Sequence, residues 1–431
     1  MCDSRKRQIE ELTEQFRKLL EEKYPEKGST LARIEELTEE IGQAIEAEIE
    51  DGAIREQGEG KDCKDTFCAC GRKARYVRNY IKEVVTLHGV RRISRAYYSC
   101  RVCRHGFAPL DKQLGLDGGG TTLSVRAKIA RIAALAPFER CACELRELCG
   151  LDVSAKTVER VAEAVGEAIG REAAEREAHI LSGMAIEPAF APERLYITVD
   201  GVMASVDKGW RECKVGAVYE TRATADGRAE ATNIEHTATF GDAEAIGDKL
   251  YALAFRRGVV HAKQTVVLGD GARWIWNQAR DNFPGCVEIV DYFHAAQHLA
   301  EVANSWYGFG TKKAEAWLGR AKQDLMEGRH ARVVRSLVAW RPPDAETKKL
   351  KTTSLGYFRR NRERMRYDQF LRQGLHIGSG VAESSCKTVV QARLKQSGMH
   401  WSAHGAEAML QLRLRWLDEP TVNFAAYAAH A

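Results

Sequence analysis

Two short apolar runs, each ending in Asp-Gly, constrain this chain most. Val266, Val267 and Leu268 lead through Gly269 into Asp270-Gly271, and Leu195-Tyr-Ile-Thr-Val199 leads into Asp200-Gly201. Apolar, β-branched runs bounded by turn residues read as buried strands. In α/β folds ligands gather at the carboxyl edge of the sheet, where both aspartates would then lie. Either aspartate alone reads equally well as a turn or N-cap residue. A third acid, Glu383, follows Gly378-Ser-Gly380 at the entry to a helix far downstream.

The chain that carries these runs has 431 residues, which favours two to four domains. Its apolar fraction of 44% is enough to bury cores. No apolar run approaches the ~20 residues that span a bilayer, and the N-terminus has no signal-peptide pattern. Twelve cysteines without such a signal point to reduced thiols in a cytosol, some of them on metal. Residues 1–60 carry 17 acidic and 9 basic side chains, whereas residues 61–431 carry 43 acidic and 56 basic. A basic body suits a polyanion such as nucleic acid, and it also suits ordinary solubility.

Residues 3–24 and 31–51 read as amphipathic helices. In the second, Leu31, Ile34, Leu37, Ile41, Ile45 and Ile49 recur at helical steps, either as a self-association arm or as a hairpin packed on its own protein. Residues 1–60 form this arm, with a Gly- and Glu-rich linker from 52. Cys68-Ala-Cys70-Gly71 and Cys100-Arg-Val-Cys103 then flank two strand-like runs, Ile81 to Leu87 and Arg92 to Tyr98. Two cysteine knuckles on a small hairpin read as a zinc ribbon over residues 61–112, with structural Zn²⁺ on Cys68, Cys70, Cys100 and Cys103. The C-x-C spacing of the first knuckle is less usual, and Cys63 could replace one of its members; free thiols in a β-rich linker are the other reading. Residues 121–178 read as helices over Arg126 to Leu135, Phe138 to Leu148 and Ala155 onward. The turn Gly150-Leu-Asp-Val-Ser154 makes the last two a candidate helix-turn-helix, with Lys156, Thr157 and Arg160 toward DNA, or else a plain three-helix unit.

From Arg194 the pattern is α/β. Strands are expected at Leu195 to Val199, Glu212 to Tyr219, Ala229 to Thr239, Thr265 to Leu268 and Cys286 to Val290. A turn falls at Ala225-Asp-Gly227, and helices follow the third, fourth and fifth strands. The order β-β-β-α-β-α-β-α over residues 194–303 is that of an RNase H-like domain. Residues 304–375 read as an all-helical insertion. In it Arg359, Arg360, Arg362, Arg364 and Arg366 lie beside Tyr357, Phe358 and Tyr367, either as a solvated face or as a nucleic-acid contact. Helices over residues 376–431 complete the core.

RNase H-like nucleases and transposases hold two divalent ions on carboxylates that converge from strand ends and a late helix. Hard Mg²⁺ takes oxygen ligands and keeps several waters, and paired ions stabilise the attacking and leaving oxygens at phosphorus. Asp200, Asp270 and Glu383 fit that need; for Glu383 the alternative is an ordinary i,i+4 pair with Lys387.

The motifs Tyr196-Ile-Thr-Val-Asp-Gly201, Leu268-Gly-Asp-Gly-Ala-Arg-Trp274, Asp291-Tyr-Phe-His294 with His298, and Gly378-Ser-Gly-Val-Ala-Glu383-Ser-Ser-Cys-Lys387 resemble the DDE transposases of bacterial insertion sequences. The likeness is greatest to the ISKra type, related to the Mutator-like group, and it extends to the knuckles, Arg95-Ala-Tyr-Tyr98, Pro109-Leu-Asp111 and the helix-turn-helix. It implies a triad of Asp200, Asp270 and Glu383 on two Mg²⁺ or Mn²⁺ ions, and an accessory element of Asp291 and His294. It also implies terminal inverted repeats and target sites on double-stranded DNA as partners. Further expectations are a homo-oligomer on DNA, no membrane, a bacterial cytoplasm near the nucleoid, and DNA contacts at Arg359, Arg360 and Lys387. His298 reads as active-site structure, or simply as a helical neighbour packed on His294. A DNA-binding protein that has lost catalysis and a nuclease without strand transfer are the competing functions.

Overall fold

The computed structural model describes residues 11–14, 27–61, 66–116, 119–223 and 229–430. Most of the helix expected over residues 3–24, Cys63, and the turn expected at Ala225 to Gly227 lie outside them. The chain divides into two compact units, one of residues 1–128 and 139–155 and the other of residues 129–138 and 156–431. Both carry β-sheet and helices, which makes the protein a multi-domain α/β chain.

In the first unit, helix α1 (Leu31–Glu56) starts at Thr30, whose hydroxyl accepts from Arg33 N at 3.3 Å. The helix runs into the stretch read as a linker. Of its apolar stripe Leu37 is buried, whereas Leu31, Ile34 and Ile49 face solvent. Strands β1 (Ala74–Thr86) and β2 (Gly89–Cys100) form an antiparallel hairpin longer than the apolar runs alone foretold, and β3 (Gly106–Phe107) adds to β2. The hairpin turns at Gly89, with φ at +110°. Its two ends have separate small cores: Val84, Ile93, Leu110 and Leu116 at one, Ala74, Ala96 and Tyr98 at the other. The short helix α2 (Pro109–Gln113) supplies Leu110. Helix α3 (Leu123–Ala133) runs across the division between units, and α4 (Phe138–Cys149) lies almost wholly in the first.

The second unit takes nearly all of α5 (Ala155–Leu181). Its sheet is built from β4 (Arg194–Val206), β5 (Gly209–Ala223), β6 (Ala229–Thr239), β7 (Gln264–Gly269) and β8 (Val287–Val290), in the order β6-β5-β4-β7-β8. Pairing is antiparallel from β6 to β4 and parallel from β4 to β8. Helices α6 (Ala243–Arg256), α7 (Arg273–Asn282) and α8 (Tyr292–Tyr307) follow β6, β7 and β8 in turn. The element order is therefore the one expected. The fully buried runs Leu195 to Ile197 and Val266 to Leu268 hold the centre of one large core, as strands covered on both faces do.

Helices α9 (Lys312–Met326), α10 (His330–Ala339), α11 (Ala345–Arg360) and α12 (Tyr367–Arg372) form the expected helical stretch and share that core. Tyr357, Phe358 and Tyr367 are buried in it, at 6%, 0% and 0% exposure. Their rings have no free face for a base, which corrects the reading of them as nucleic-acid contacts. Arginines beside them fill the solvent side of the same helices. Arg359 and Arg360 are exposed, and Arg364 bonds Glu288 and stacks over Trp276 at 4.7 Å. Helix α13 (Gly380–Ser385) passes into a π-helical turn, Cys386–Gln391, then α14 (Ala392–Leu394), α15 (Ala403–Asp418) and α16 (Phe424–Ala428). Helix α13 packs against β4 and β5.

Candidate active site and metal centre

Strand register brings three aspartates together. The last parallel pair of β4 with β7 is Thr198–Leu268, so Asp200 and Asp270 each lie two residues beyond it. The last pair of β7 with β8 is Gly269–Val290, so Asp291 lies one residue beyond, and Asp291 N donates to Gly269 O at 2.8 Å. Asp200 does not end its strand as expected. Gly201 pairs with Lys214 instead of turning, and β4 continues along β5 to Val206. The aspartate sits where the parallel partner stops, and Gly201 N donates to its Oδ1 at 2.7 Å.

The three carboxylates differ in environment. Burial raises the Asp200 carboxyl above its ordinary range; the charges of Asp270 and Asp291 add to this, while the Gly201 N–H and His294 oppose it. Asp270 accepts Ala272 N at 2.7 Å, and its carbonyl accepts the Tyr357 hydroxyl at 2.9 Å. Gly271 between them has φ at +101°, and a Cβ there would lie 2.6 Å from Tyr357 Cε2, so only glycine fits. Asp291 is 8% exposed and caps α8, accepting Phe293 N at 2.6 Å and His294 N at 3.4 Å. Its other oxygen accepts both Ser379 N at 3.2 Å and the Ser379 hydroxyl. Tyr292 N donates to Ile377 O at 2.8 Å, so the segment leading to Glu383 is tied to the start of α8 at two points.

His294 and His298 are edge to face, with ring centres 5.0 Å apart, and His298 lies 4.3 Å from the Tyr357 ring. Burial, with help from His294, pushes His298 below its ordinary value. Both histidines thus belong to the wall of the acidic cluster. Tyr357 and Ser379 are site residues that no local pattern announced; they arrive over separations of 87 and 88 residues.

Glu383 stands differently. It is exposed on α13 and pairs with Lys387 Nζ at 2.7 Å. Burial pushes the Cys386 thiol up to about 12, and the charges of Asp200 and Glu383 both add to the shift, so one thiol feels both acids. Among the described residues, no carboxylate set closes to within 4.8 Å in the way a one-ion cage requires. Lys156 is also engaged, with Glu159 at 2.8 Å. Thr157 is half-buried and Arg160 exposed on α5, whose expected partner α4 lies in the other unit.

The cysteines do close. The sulfurs of Cys68, Cys70, Cys100 and Cys103 all lie within 4.8 Å of one another, with Cys68–Cys103 at 3.4 Å and Cys70–Cys100 at 3.7 Å. Zinc–sulfur bonds of about 2.3 Å make a tetrahedron with edges of about 3.8 Å, so the quartet matches that ion. Each knuckle turns through a left-handed residue after its second cysteine, Gly71 at φ +78° and Arg104 at φ +58°. The N–H groups of Cys103 and Val102 hold the Cys100 thiol down at about 7, which favours the thiolate a metal needs.

The family model described as "Uncharacterised protein family (UPF0236)" matches residues 32–421. The curated "UPF0236 protein in vanSb 3'region" of Streptococcus gallolyticus is 24% identical over 315 residues, which are 71% of this chain and 66% of that protein. The chain thus spans just under two thirds of the length of the relative it matches. No helix among the described residues is long and apolar enough to cross a membrane.

Proposed function

We propose that this chain, which belongs to the uncharacterised protein family UPF0236, is a transposase that binds the ends of a mobile DNA element and cuts and joins DNA strands. The observation that carries this reading is the row of Asp200, Asp270 and Asp291 across three neighbouring parallel strands. The strand order β6-β5-β4-β7-β8 and the element order support an RNase H-like core, and the later helical stretch supports an insertion before the last acid. Hard oxygen donors on Asp200 and Asp270 suit Mg²⁺ or Mn²⁺, although the acids as placed do not form a closed set. When bound, such ions would supply activation of the attacking oxygen and stabilisation of the leaving one. The protein's own part is to hold Asp200 and Asp270 side by side and to fix the approach of Glu383 through the bonds that Ser379 donates to Asp291.

A second reading, a DNA-binding protein without catalysis, is favoured by the Glu383–Lys387 pair, which leaves the third acid already satisfied. A cleavage assay separates the two. The substrate is DNA carrying the sequences that flank the gene, with Mg²⁺, Mn²⁺ or no divalent ion. The parent should nick at the ends only with metal. Asp200→Asn, Asp270→Asn and Glu383→Gln should each bind the ends like the parent and fail to nick, since acids acting as one unit are not additive. Full cleavage by Glu383→Gln removes that residue from the reaction, and metal-independent cleavage by the parent overturns the mechanism.

A further inference from the structure

The cysteine ribbon is strongly basic. Residues 66–107 contain ten Arg or Lys and one carboxylate, Glu83. Lys82 and Arg95 are taken up by Asp111, Arg91 by Glu50 and Asp51, and Arg92 by Glu83. Among the described residues, Arg72, Arg75, Arg78, Arg101 and Arg104 are exposed and make no ion pair. Each sits on a knuckle or on the knuckle-proximal part of β1.

Exposed rings lie among these charges. Phe67 is 62% exposed, Tyr76 47% and Tyr80 36%, far from the burial that aromatic side chains reach in the cores of the same chain. The Arg78 guanidinium lies 4.4 Å from the centre of the Tyr80 ring, and Tyr97 braces that ring edge-on at 5.1 Å. Tyr76, placed on the opposite face by the register shift before Arg78, is held by its hydroxyl on Asn79 Oδ1 at 3.0 Å and by Tyr98 edge-on at 5.9 Å. The rings are thus set by neighbours from β1 and β2 while keeping area open to solvent. Unpaired cations would track a phosphate backbone, and pre-set rings would take base faces, which a duplex keeps stacked inside.

We infer that the face of the hairpin carrying Arg75, Arg78 and Tyr80 binds single-stranded nucleic acid, through Arg75, Arg78 and the knuckle residues Arg72 and Arg101 on phosphates and Tyr80 on bases. The inference rests on the reading of the protein as one that processes DNA, since opened ends are where unpaired bases arise. It assigns the ribbon a different partner from the duplex that the helical region was expected to read.

The test uses the zinc-loaded full chain without added Mg²⁺ or Mn²⁺, and the fluorescence anisotropy of a labelled mixed-sequence 20-mer, single-stranded or as its duplex. The single strand should bind more tightly than the duplex. The triple variant Arg75→Gln, Arg78→Gln, Arg101→Gln should flatten the dependence of log K on log salt by about 2, at roughly 0.7 per lost phosphate contact on a single strand. Tyr80→Ala should weaken single-strand binding roughly five- to a hundredfold, the range for one stacked base, and Tyr80→Phe should restore it. Circular dichroism and zinc content should match the parent in every variant, because the replaced side chains are exposed. Equal or tighter duplex binding, or a salt slope unchanged in the triple variant, overturns the inference. The same measurement on Asp270→Asn keeps the two proposals apart: single-strand binding there should equal the parent's, whatever the cleavage assay returns.

Discussion

Removing one thiolate from the ribbon tests whether metal holds it together. The apolar cluster beside the quartet consists of Ala74, Ala96 and Tyr98, with Phe107 half-buried against it. Two aromatics and two methyls give about 6 kcal/mol of burial, at 1.5–3 kcal/mol per large side chain and about 0.8 per methyl. Ordering the knuckle backbone, the fifteen residues 66–73 and 101–107, costs about 22 kcal/mol at roughly 1.5 kcal/mol each. A structural zinc at about 13 kcal/mol would bring the two sides to within a few kcal/mol, and without it the knuckles would open. Cys100→Ser should therefore lower zinc from about one per chain to a small fraction of that after dialysis. Trypsin should then cut sooner after Arg72, Arg101 and Arg104, because proteolysis follows the local opening equilibrium. Elemental analysis and mass spectrometry of a timed digest read both effects, and the main thermal transition should stay within a degree or two because the large core is elsewhere in the chain. Stoichiometric zinc in Cys100→Ser, or unchanged trypsin resistance after complete zinc removal from the parent, would refute the reasoning.

Three further outcomes follow from the acidic cluster. The folded Asp200 carboxyl has a raised pKa, so its neutral form favours folding; that contribution is full below the unfolded value and is lost as pH rises through the folded one. At pH 7 without divalent ions, Asp200→Asn should melt higher than the parent, with no gain near pH 4. A lower melting temperature at pH 7 would show that the bond from Gly201 N outweighs burial of the charge. Asp291→Ala removes a helix cap and charge-assisted bonds to Ser379, and denaturant unfolding should show a loss of about 2–4 kcal/mol. Ser379→Ala should lose about half as much; a loss below about 0.5 kcal/mol in Asp291→Ala would mean that water replaces every partner.

Legibility in the sequence followed the range over which each feature is decided. The runs at Leu195 and Val266 announced buried strands because β-branched continuity is a local property, and both are fully buried. Cysteine spacing announced the quartet for the same reason, since each knuckle is a short turn. The end of β4 was not legible. Asp-Gly reads as a turn in isolation, and only the ladder with Lys214 on β5 keeps Gly201 extended. Tyr357 and Phe358 beside Arg359 and Arg360 looked like an aromatic-basic surface, yet one turn of helix sends the rings inward and the cations outward. Ser379 could not have been foreseen as a partner of Asp291, because that bond is set by how the loop before α13 meets the start of α8.

Glu383 is where geometry and motif disagree, and the size of the opposing interaction decides how much the disagreement weighs. The ion pair to Lys387 has side chains 70% and 60% exposed. Pairs of this kind in a helix are worth about 0.3–0.5 kcal/mol, and salt screens them further. Asp200 is the opposite case: a half-buried carboxyl under the charges of Asp270 and Asp291, with only the Gly201 N–H and His294 in its favour. In the proposed mechanism a cation on Asp200 and Asp270 would relieve that repulsion, and releasing Glu383 from Lys387 to join it would cost less than one ordinary hydrogen bond. Ser379 and Ile377 are anchored to the start of α8, while Glu383 lies a turn further on and exposed. The pair seen at Glu383 therefore weighs little against the proposed triad. Lys387→Ala, which frees the acid without touching it, should leave metal-dependent nicking intact or raise it, and a loss of nicking on the scale of Glu383→Gln would instead make the ion pair itself part of the working site.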